Sequence, residues 1–205
     1  MIAFTADPHF GHKNIIKHCN RPFMTEGEMD SMLLLNINNT VARNDTLYIV
    51  GDFAWWKCTP EQIKAYRAAI NCSDVHLILG NHDKPVVDIL EGLFSTISDI
   101  KTIKVATRAK KDQQIVLFHY AMKTWDQSHR KSWSLYGHSH HQLPDDPTMM
   151  SIDVGVDGKG YNYSPITLDQ VEEIMAKKQW VDPYDQWEKE GKLFRPNSRL
   201  EPEHS

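Results

Sequence analysis

The chain has 205 residues, of which 40% are hydrophobic and 24% charged, and its formal net charge at pH 7 is −4. This length and apolar content suffice for one sizeable core, and no linker-like or low-complexity stretch divides the sequence, so we expect a single domain over residues 1–205. The mild acidity and the lack of any basic run longer than two residues disfavour a binding surface for duplex nucleic acid.

The hydrophobic pattern predicts strands that alternate with helices in the first half of the chain and strands that follow one another in the second half. This order indicates an α/β fold with a mixed sheet. Thr59 followed by Pro60 is typical of a helix start, with the threonine as N-cap. The predicted strands cover residues 2–6, 46–50, 75–79, 101–106, 114–118, 132–136 and 151–155, and the predicted helices cover 12–19, 27–40, 60–70, 85–91 and 167–179.

The last part of the sequence is predicted to be a helical extension over residues 166–195. It contains the amphipathic helix at 167–179 and then a segment with several aromatic residues but no clean period. Residues 196–205 have the polar composition of a disordered terminus.

Two pairs of metal-ligand type residues share one spacing. Asp7 and His9 follow the first strand, and His138 and His140 follow the strand that ends at Tyr136. In an extended chain, residues i and i+2 point to the same side, so both members of a pair can reach one cation.

Three more residues of this type stand directly after apolar strands. Asp52 and Asn81 each follow a glycine, and His119 closes residues 115–118. In open α/β sheets, binding sites collect beyond the carboxyl ends of the strands. Carboxylates, imidazoles and one amide oxygen, with no thiolate, suit divalent manganese, iron or zinc better than magnesium or copper(I). We therefore expect a site for divalent metal at the strand ends.

The motifs stand in an order that resembles the calcineurin-like metallophosphoesterase superfamily over residues 5–157. The string from Asp7 to Phe23 further resembles a subgroup of small bacterial and phage phosphoesterases with a Phe-Gly-His loop. The blocks that carry the resemblance are Asp7-Pro8-His9, Gly51-Asp52, Gly80-Asn81-His82-Asp83, His119 and Gly137-His138-Ser139-His140. The resemblance implies an αββα sandwich of two mixed β-sheets flanked by helices.

The resemblance also implies two divalent metal ions and divides the ligands between them. Two ions about 3.5–4 Å apart would share a hydroxide and clamp the attacking and leaving oxygens of a phosphoryl transfer. Asp52 would lie between the ions as a bridge. By this analogy, Asp7, His9 and His140 hold one ion, and Asn81, His119 and His138 hold the other.

His82 is the candidate general acid. It follows Asn81 directly, so its side chain should project beside the metals. In the families that the chain resembles, this histidine contacts phosphate and protonates the leaving alkoxide, and an ordinary imidazole pKa near 6.5 suits that work. Protein phosphatases orient it with an aspartate from a segment that this chain lacks after Asp52, so its orienting partner is unassigned. Asp83 is expected to cap the helix that begins near Lys84.

Four residues are candidate contacts to substrate: His12, Asn14, Arg21 and Asn81. His12 lies one loop beyond the first pair, where it either reaches the substrate or caps and packs the following helix. The planar fork of Arg21 suits a phosphate, although a solvated arginine before a proline is equally consistent with the sequence.

Three tryptophans fall near the motifs, and they either form an aromatic wall for a nucleobase or pack in the core. They are Trp55, Trp56 and Trp125. Asp153 stands where the subgroup more usually has asparagine, and the sequence suggests no role for it.

The expected activity is hydrolysis of phosphodiesters in small nucleotide-like substrates by a metal-bridging hydroxide. A phosphomonoesterase is the first alternative, because the same centre serves both ester classes. A catalytically idle protein-binding scaffold is the second, although it would not require all seven ligands together with His82. The sequence does not predict the oligomeric state.

The expected location is the cytoplasm. The chain has no secretory pattern and no apolar run near the ~18 residues of a membrane span. Cys19, Cys58 and Cys72 are odd in number and match no disulfide or metal spacing, as expected of free thiols in a reducing compartment.

Overall fold

The computed structural model describes residues 1–191, which contain nine β-strands and six α-helices. The strands are β1 (Ile2–Thr5), β2 (Thr46–Val50), β3 (Asp74–Ile78), β4 (Thr96–Ser98), β5 (Ile100–Val105), β6 (Gln113–Phe118), β7 (Trp133–Tyr136), β8 (Ser151–Asp153) and β9 (Ile166–Thr167). The helices are α1 (Lys13–His18), α2 (Glu26–Thr40), α3 (Pro60–Ala68), α4 (Val87–Leu90), α5 (Leu168–Met175) and α6 (Pro183–Lys189). The segment predicted to be disordered, 196–205, and the last residues of the predicted extension, 192–195, lie outside the described residues.

The strands form two mixed β-sheets, which confirms an α/β fold with two mixed sheets and helices. The first sheet has the order β4-β3-β2-β1-β9, with β9 antiparallel to β1 and the other pairs parallel. The second sheet has the order β5-β6-β7-β8, with only β5 antiparallel to its neighbour. Beyond the strand ends, Ala6 forms a parallel bridge with Gly155, which joins the exits of β1 and β8.

The central strands of the first sheet are buried on both faces. In β2, Leu47 and Ile49 pack into a core cluster with residues of α2 and α3, whereas Tyr48 and Val50 pack into a second cluster with residues of the other sheet. This alternation follows from the period of two in a strand. The two sheets therefore face each other across one core, and helices cover the outer face of the first sheet.

Threonine caps begin the longer helices. Thr59 accepts a hydrogen bond from the main chain of Gln62, whose side chain caps in return, and Pro60 is the first helical residue. Thr167 forms the same reciprocal box with Gln170 at the start of α5. The predicted helix start at Thr59 is thus confirmed.

Some predicted boundaries are wrong, because short elements carry too little pattern to be recognised. The two edge strands of the first sheet, β4 and β9, have three and two residues and are absent from the prediction. The helix predicted at 167–179 begins at Leu168 and ends at Met175, and the one predicted at 85–91 is a 3₁₀ turn followed by the four-residue α4.

Two further features bear on the sequence-based expectations. No helix among residues 1–191 combines the length and the apolar character that crossing a bilayer requires. All three cysteines are free thiols, and Cys58 and Cys72 are buried.

Candidate metal centre

The loops that follow strands of both sheets meet at one edge of the molecule. The main-chain N–H of Asp7, after β1, donates to the carbonyl of Gly51, after β2, at 3.0 Å. Likewise, Gly137, after β7, donates to the carbonyl of His119, after β6, at 3.0 Å. The carboxyl ends of these strands therefore gather the predicted ligand residues in one place.

Asp7, His9 and His140 form the first candidate ligand set. Each offers one ligand atom, and these atoms lie within 4.8 Å of one another. Asp7 and His9 are completely buried or nearly so, at 0% and 1% exposure. These three residues are the ones that the resemblance assigns to one ion.

Asp52, His119 and His138 form the second set, and their ligand atoms also lie within 4.8 Å of one another. The side-chain oxygen of Asn81 lies 3.3 Å from Nε2 of His119, so Asn81 stands beside this set. Nδ1 of His119 lies 2.9 Å from the carbonyl oxygen of Val50. A proton on Nδ1 makes that hydrogen bond and leaves Nε2 available to a cation, which is the usual support of a metal-binding histidine.

Asp52, a member of the second set, also lies close to the first set. Its Oδ2 is 3.5 Å from Nε2 of His9 in the first set and 3.5 Å from Nε2 of His119 in the second. Its Oδ1 accepts a hydrogen bond from the main-chain N–H of His82 at 2.8 Å. A carboxylate that is equidistant from both sets has the position of a bridging ligand.

Buried polar atoms without partners test whether these residues fit a metal. Oδ1 of Asp7 and both ring nitrogens of His9 are buried and form no hydrogen bond. Such atoms are rare in native proteins unless they bind water, an ion or a reacting group. A divalent cation held by Asp7, His9 and His140 would bind the Asp7 oxygen and one of the two His9 nitrogens, so the residues fit the metal that the resemblance implies.

Most of the candidate ligands have a left-handed backbone, which is uncommon for residues other than glycine and clusters at functional sites. The two residues of each pair therefore converge through turns, and the extended-chain argument for their spacing is wrong. The φ angles are 56° for Asp7, 54° for His9, 54° for Asp52, 66° for His138 and 48° for His140.

The electrostatics of the centre are those of buried charges that need partners. Burial raises the pKa of Asp7 to about 7 and lowers the pKa of His9 well below its usual value. Burial also lowers the pKa of His119 and of His140, but pairing with a carboxylate outweighs it in both. Asp52 raises the pKa of His119 to about 9, and Asp157 raises that of His140 to about 10. A divalent cation that bound here would therefore compete with protons for the histidine nitrogens.

Asp83 does not cap a helix, contrary to the prediction. Its buried carboxylate accepts hydrogen bonds from the main-chain N–H groups of Asp52 at 2.7 Å, Phe53 at 2.9 Å and Gly80 at 2.9 Å. At the start of the 3₁₀ turn, Asp83 makes no side-chain cap. It instead fixes the loop that carries Asp52 against the loop that carries Asn81.

His82 lies beside the ligand sets. Its ring stands edge-on to that of His9, with centroids 4.7 Å apart, and its buried Nδ1 has no partner. Burial lowers its pKa. The side chain of Asp83 bonds to main-chain groups, so the described contacts of His82 supply no carboxylate to orient its ring.

His12 lies at the cleft, whereas Asn14 does not. The cleft has a volume of about 310 Å³. It is lined by five of the candidate ligands and six other residues: His9, Asp52, Asn81, His138 and His140, with His12, Ile15, His18, Cys19, His82 and Gln142. The side chain of His12 makes no cap to α1. Asn14 is exposed on α1 and does not line the cleft, so the structure does not support it as a substrate contact. His18 stands in no motif of the sequence, but the helical period that puts it beside Ile15 is a signal that could have placed it at the cleft.

Arg21 is neither a phosphate contact nor a solvated side chain, so both expectations for it are wrong. Its side chain is 0% exposed, and its guanidinium forms a bidentate pair with Asp157 through Nε and Nη2, at 2.8 Å each. Asp157 in turn bonds to His140. Asp157 has no role that its local sequence suggests, because its partners Arg21 and His140 lie 136 and 17 residues away along the chain.

Asp153 supports the loop between the two histidines of the second pair. Its carboxylate accepts hydrogen bonds from the hydroxyl of Ser139 at 2.5 Å, the main-chain N–H of His141 at 3.0 Å and that of Gly155 at 2.7 Å. This gives a role to the aspartate that departs from the subgroup.

The three tryptophans differ in their surroundings. Trp125 packs against the inter-sheet core and donates its indole N–H to Ser132, as ordinary burial predicts. Trp55 stacks on His12, while Trp56 is 44% exposed and lies 4.8 Å, from ring centroid to Nζ, beneath Lys57. None of the three is among the residues that line the cleft.

The known proteins that this chain resembles include one similar in sequence and one similar in fold, and the description of each gives no function. No family model matches the chain. Protein MJ1445 of Methanocaldococcus jannaschii, which is described as uncharacterized, is 30% identical over 181 residues, covering 86% of this chain and 92% of its own. The crystal structure of AQ665 from Aquifex aeolicus, a protein of unknown function, matches with a TM-score of 0.66 and 24% identity over 85% of this chain and 98% of its own, which shows a shared fold. The chain belongs to the same protein family as MJ1445.

Proposed function

We propose that this protein is a calcineurin-like metallophosphoesterase that binds two divalent metal ions and hydrolyses phosphodiesters of small nucleotide-like compounds. The observation that carries the proposal is the position of Asp52, whose Oδ2 lies 3.5 Å from an imidazole nitrogen of each ligand set. Two mixed sheets that face each other and carry helices are compatible with the αββα sandwich of that superfamily.

The ligand types favour manganese, iron or zinc. Asp7, His9 and His140 would hold one ion, Asn81, His119 and His138 the other, and Asp52 would bridge them. When bound, the ions would supply the Lewis acidity that polarises the phosphoryl group and activates water.

The remaining chemistry belongs to His82. Its ring lies on the cleft side of His9, and its main-chain N–H is fixed by Oδ1 of Asp52. This position allows the imidazole to donate a proton to the ester oxygen that leaves. His12, whose ring centroid is 5.5 Å from that of His82, is placed to hydrogen-bond the same phosphate.

The charge of the cleft favours a diester over a monoester. Among the described residues, no lysine or arginine lines the cleft, and the guanidinium of Arg21 is committed to Asp157. Burial lowers the pKa of His12 to about 4, so its imidazole adds no positive charge to the cleft near pH 7. A singly charged diester needs less positive charge from the protein than a doubly charged monoester does.

The test is a paired measurement of metal content and turnover. Chelated protein is reloaded with manganese, the metal per chain is counted, and hydrolysis of bis(p-nitrophenyl) phosphate is compared with that of p-nitrophenyl phosphate. We expect two ions per chain and faster turnover of the diester. Faster turnover of the monoester would replace the diesterase by a phosphatase, and failure to bind metal would favour the idle scaffold.

A variant of the bridge sharpens this test. Asp52→Asn should reduce metal affinity by at least the ~10–100-fold that changes around a metal site cost. Asp74→Asn is the matched control, because Asp74 begins β3 at the opposite end of the same sheet. Equal metal binding by both variants would remove the basis of the proposal.

A further inference from the structure

Arg21 is buried beneath the candidate metal centre and binds the loop that carries Asp7 and His9. Its Nη1 donates to the carbonyl of Pro8 at 3.0 Å, and its Nη2 donates to the carbonyl of Asp7 at 2.8 Å. This loop has a left-handed backbone at both Asp7 and His9. A strained loop keeps its shape only where surrounding contacts determine it, and the guanidinium supplies two such contacts.

The same guanidinium reaches His140 through Asp157. Nε of Arg21 donates to Oδ1 of Asp157, and Nη2 donates to Oδ2, both at 2.8 Å. Oδ2 also lies 2.8 Å from Nδ1 of His140. An imidazole whose Nδ1 is held by a carboxylate has Nε2 left for a cation.

Arg21 therefore supports the first ligand set in two ways, directly through the main chain of Asp7 and Pro8 and indirectly through Asp157 at His140. The second set has its own supports: Asp83 holds the main chain of Asp52, and the Val50 carbonyl holds His119. The two sets also contact each other, since the main-chain N–H of His138 donates to Oδ2 of Asp7 at 2.9 Å and that of His9 donates to the carbonyl of Asp52 at 3.0 Å. Their other supports nevertheless differ, because the hydrogen bonds of Arg21 and Asp157 serve the first set.

We propose that Arg21 is a positioning residue that holds Asp7, His9 and His140 in their ligating arrangement, so that the first set needs it to bind a cation and the second set does not. The inference rests on the proposed function, because it assumes that both sets bind metal. It adds that the two ions depend on different parts of the fold and can be lost separately.

The position requires arginine, because the acceptors of its hydrogen bonds lie in several directions: the two oxygens of Asp157 and the carbonyls of Asp7 and Pro8. A planar guanidinium with its fork of N–H groups can serve two carboxylate oxygens and two carbonyls, whereas a lysine ammonium has three donors on one atom. Loss of the guanidinium would also leave Asp157 buried with His140 as its remaining charged partner, and an uncompensated buried charge is strongly destabilising.

The experiment measures metal affinity at each set without reference to turnover. Manganese per chain is determined in the full-length protein over a series of buffered free-manganese concentrations, for the wild type, Arg21→Met and Arg21→Lys. We expect both variants to keep one ion at wild-type affinity and to bind the other ~10–100-fold more weakly. Arg67→Met is the matched control, since Arg67 also donates to several main-chain carbonyls, including those of Leu93 and Ile70, but lies away from the centre. It should keep both affinities.

Double substitution separates positioning from general destabilisation. His140→Ala removes a ligand of the first set, and Arg21→Met in that background should weaken manganese binding no further, because the set is already lost. Asp157→Asn weakens the hydrogen bonds that join Arg21 to His140 and changes the side-chain volume very little. It should reproduce the selective loss of one ion. The test therefore stays decisive even if Arg21→Met fails to fold.

The outcomes distinguish the inference from the function on which it rests. If Arg21→Met or Asp157→Asn binds two ions with wild-type affinities, the inference is wrong and the proposed function is unaffected. Weakening of both ions to the same degree would also overturn it. A wild-type protein that binds no manganese would instead refute the proposed function.

Discussion

His12 lies face to face with Trp55, with ring centroids 5.1 Å apart and planes 9° apart. Trp55 is itself packed against the buried core of the first sheet, so it fixes an imidazole that reaches the cleft. The stack explains how His12 keeps its place beside His82 although it does not cap α1. Trp55 is therefore a support for a cleft residue.

The first prediction concerns this stack. His12→Gln should raise KM for a diester substrate about tenfold and change kcat less, because a contact to the bound phosphate acts in both ground and transition states. Trp55→Ala should have a similar effect, since the imidazole loses its support. Steady-state kinetics at saturating manganese measure both parameters, and Trp125→Ala is the control. A fall in kcat at constant KM would assign His12 to the chemical step.

The second prediction concerns His82. His82→Ala should retain its metal, because His82 belongs neither to the set of Asp7, His9 and His140 nor to the set of Asp52, His119 and His138. Turnover should fall steeply, by ~10²–10⁴-fold, for esters with poor leaving groups and much less for p-nitrophenyl esters, whose leaving group needs no proton. Rates for a series of aryl and alkyl diesters test this. An equal loss across the series would exclude the role of general acid.

The local motifs were sufficient to predict which chelating residues the fold brings together. Each motif is an apolar strand followed by a chelating residue, and strand order in an α/β sheet brings such ends together. The prediction that Asp7 and His9 converge was correct in position, but its extended-chain reason was wrong, because both residues lie in left-handed turns.

The supports of the centre could not be predicted in the same way. Arg21 and Asp157 are 136 residues apart, and Asp83 reaches back 31 residues to Asp52. No local pattern encodes such pairs, and the local rule for Asp83, which favoured a helix cap, was overridden by three main-chain donors that lie close in the fold. The short strands β4 and β9 are absent from the prediction for a related reason, since two or three residues cannot show a period.

The third prediction concerns Gly51, whose φ is 94°. A Cβ at this position would lie 2.1 Å from Nδ1 of His119, the atom that bonds to the Val50 carbonyl. Gly51→Ala should therefore displace His119 and weaken binding of the second ion. Gly92→Ala is the matched control, because Gly92 also has a positive φ, 78°, but no atom within 4 Å of its Cβ position.

Both glycine variants bear the strain of a left-handed alanine, of order 1 kcal/mol. Denaturation of the metal-free proteins measures the loss of folding stability that both variants share. Manganese titration measures the loss of metal affinity that is specific to Gly51→Ala. If the two variants bind manganese equally well, the contact between Gly51 and His119 does not matter for the centre.

The fourth prediction concerns the pH dependence of stability. Asp30, on α2, accepts hydrogen bonds from the main chain of Gly11 at 3.2 Å and from the hydroxyl of Tyr66 at 2.8 Å. Burial is the main influence on Asp30 and outweighs these bonds, so its pKa rises from 3.8 to about 6. The folded protein thus holds this proton more tightly than the unfolded chain does.

The sign of the effect follows from linkage. The stabilisation from the proton is fully present below pH 3.8 and is lost as the pH rises through about 6. As the pH rises between these limits, the free energy of unfolding of the wild type should fall by about 3 kcal/mol relative to that of Asp30→Asn, whose side chain stays neutral. The change in hydrogen bonding in Asp30→Asn adds an offset that does not depend on pH. The slope of the difference in unfolding free energy, measured by urea denaturation of both proteins from pH 4.5 to 7.5, therefore isolates the carboxyl group. Asp99→Asn is the control and should show no such slope, because the side chain of Asp99 is 67% exposed in the wild type. If the difference between the wild type and Asp30→Asn does not change with pH, the Asp30 carboxyl ionises without cost in the folded protein.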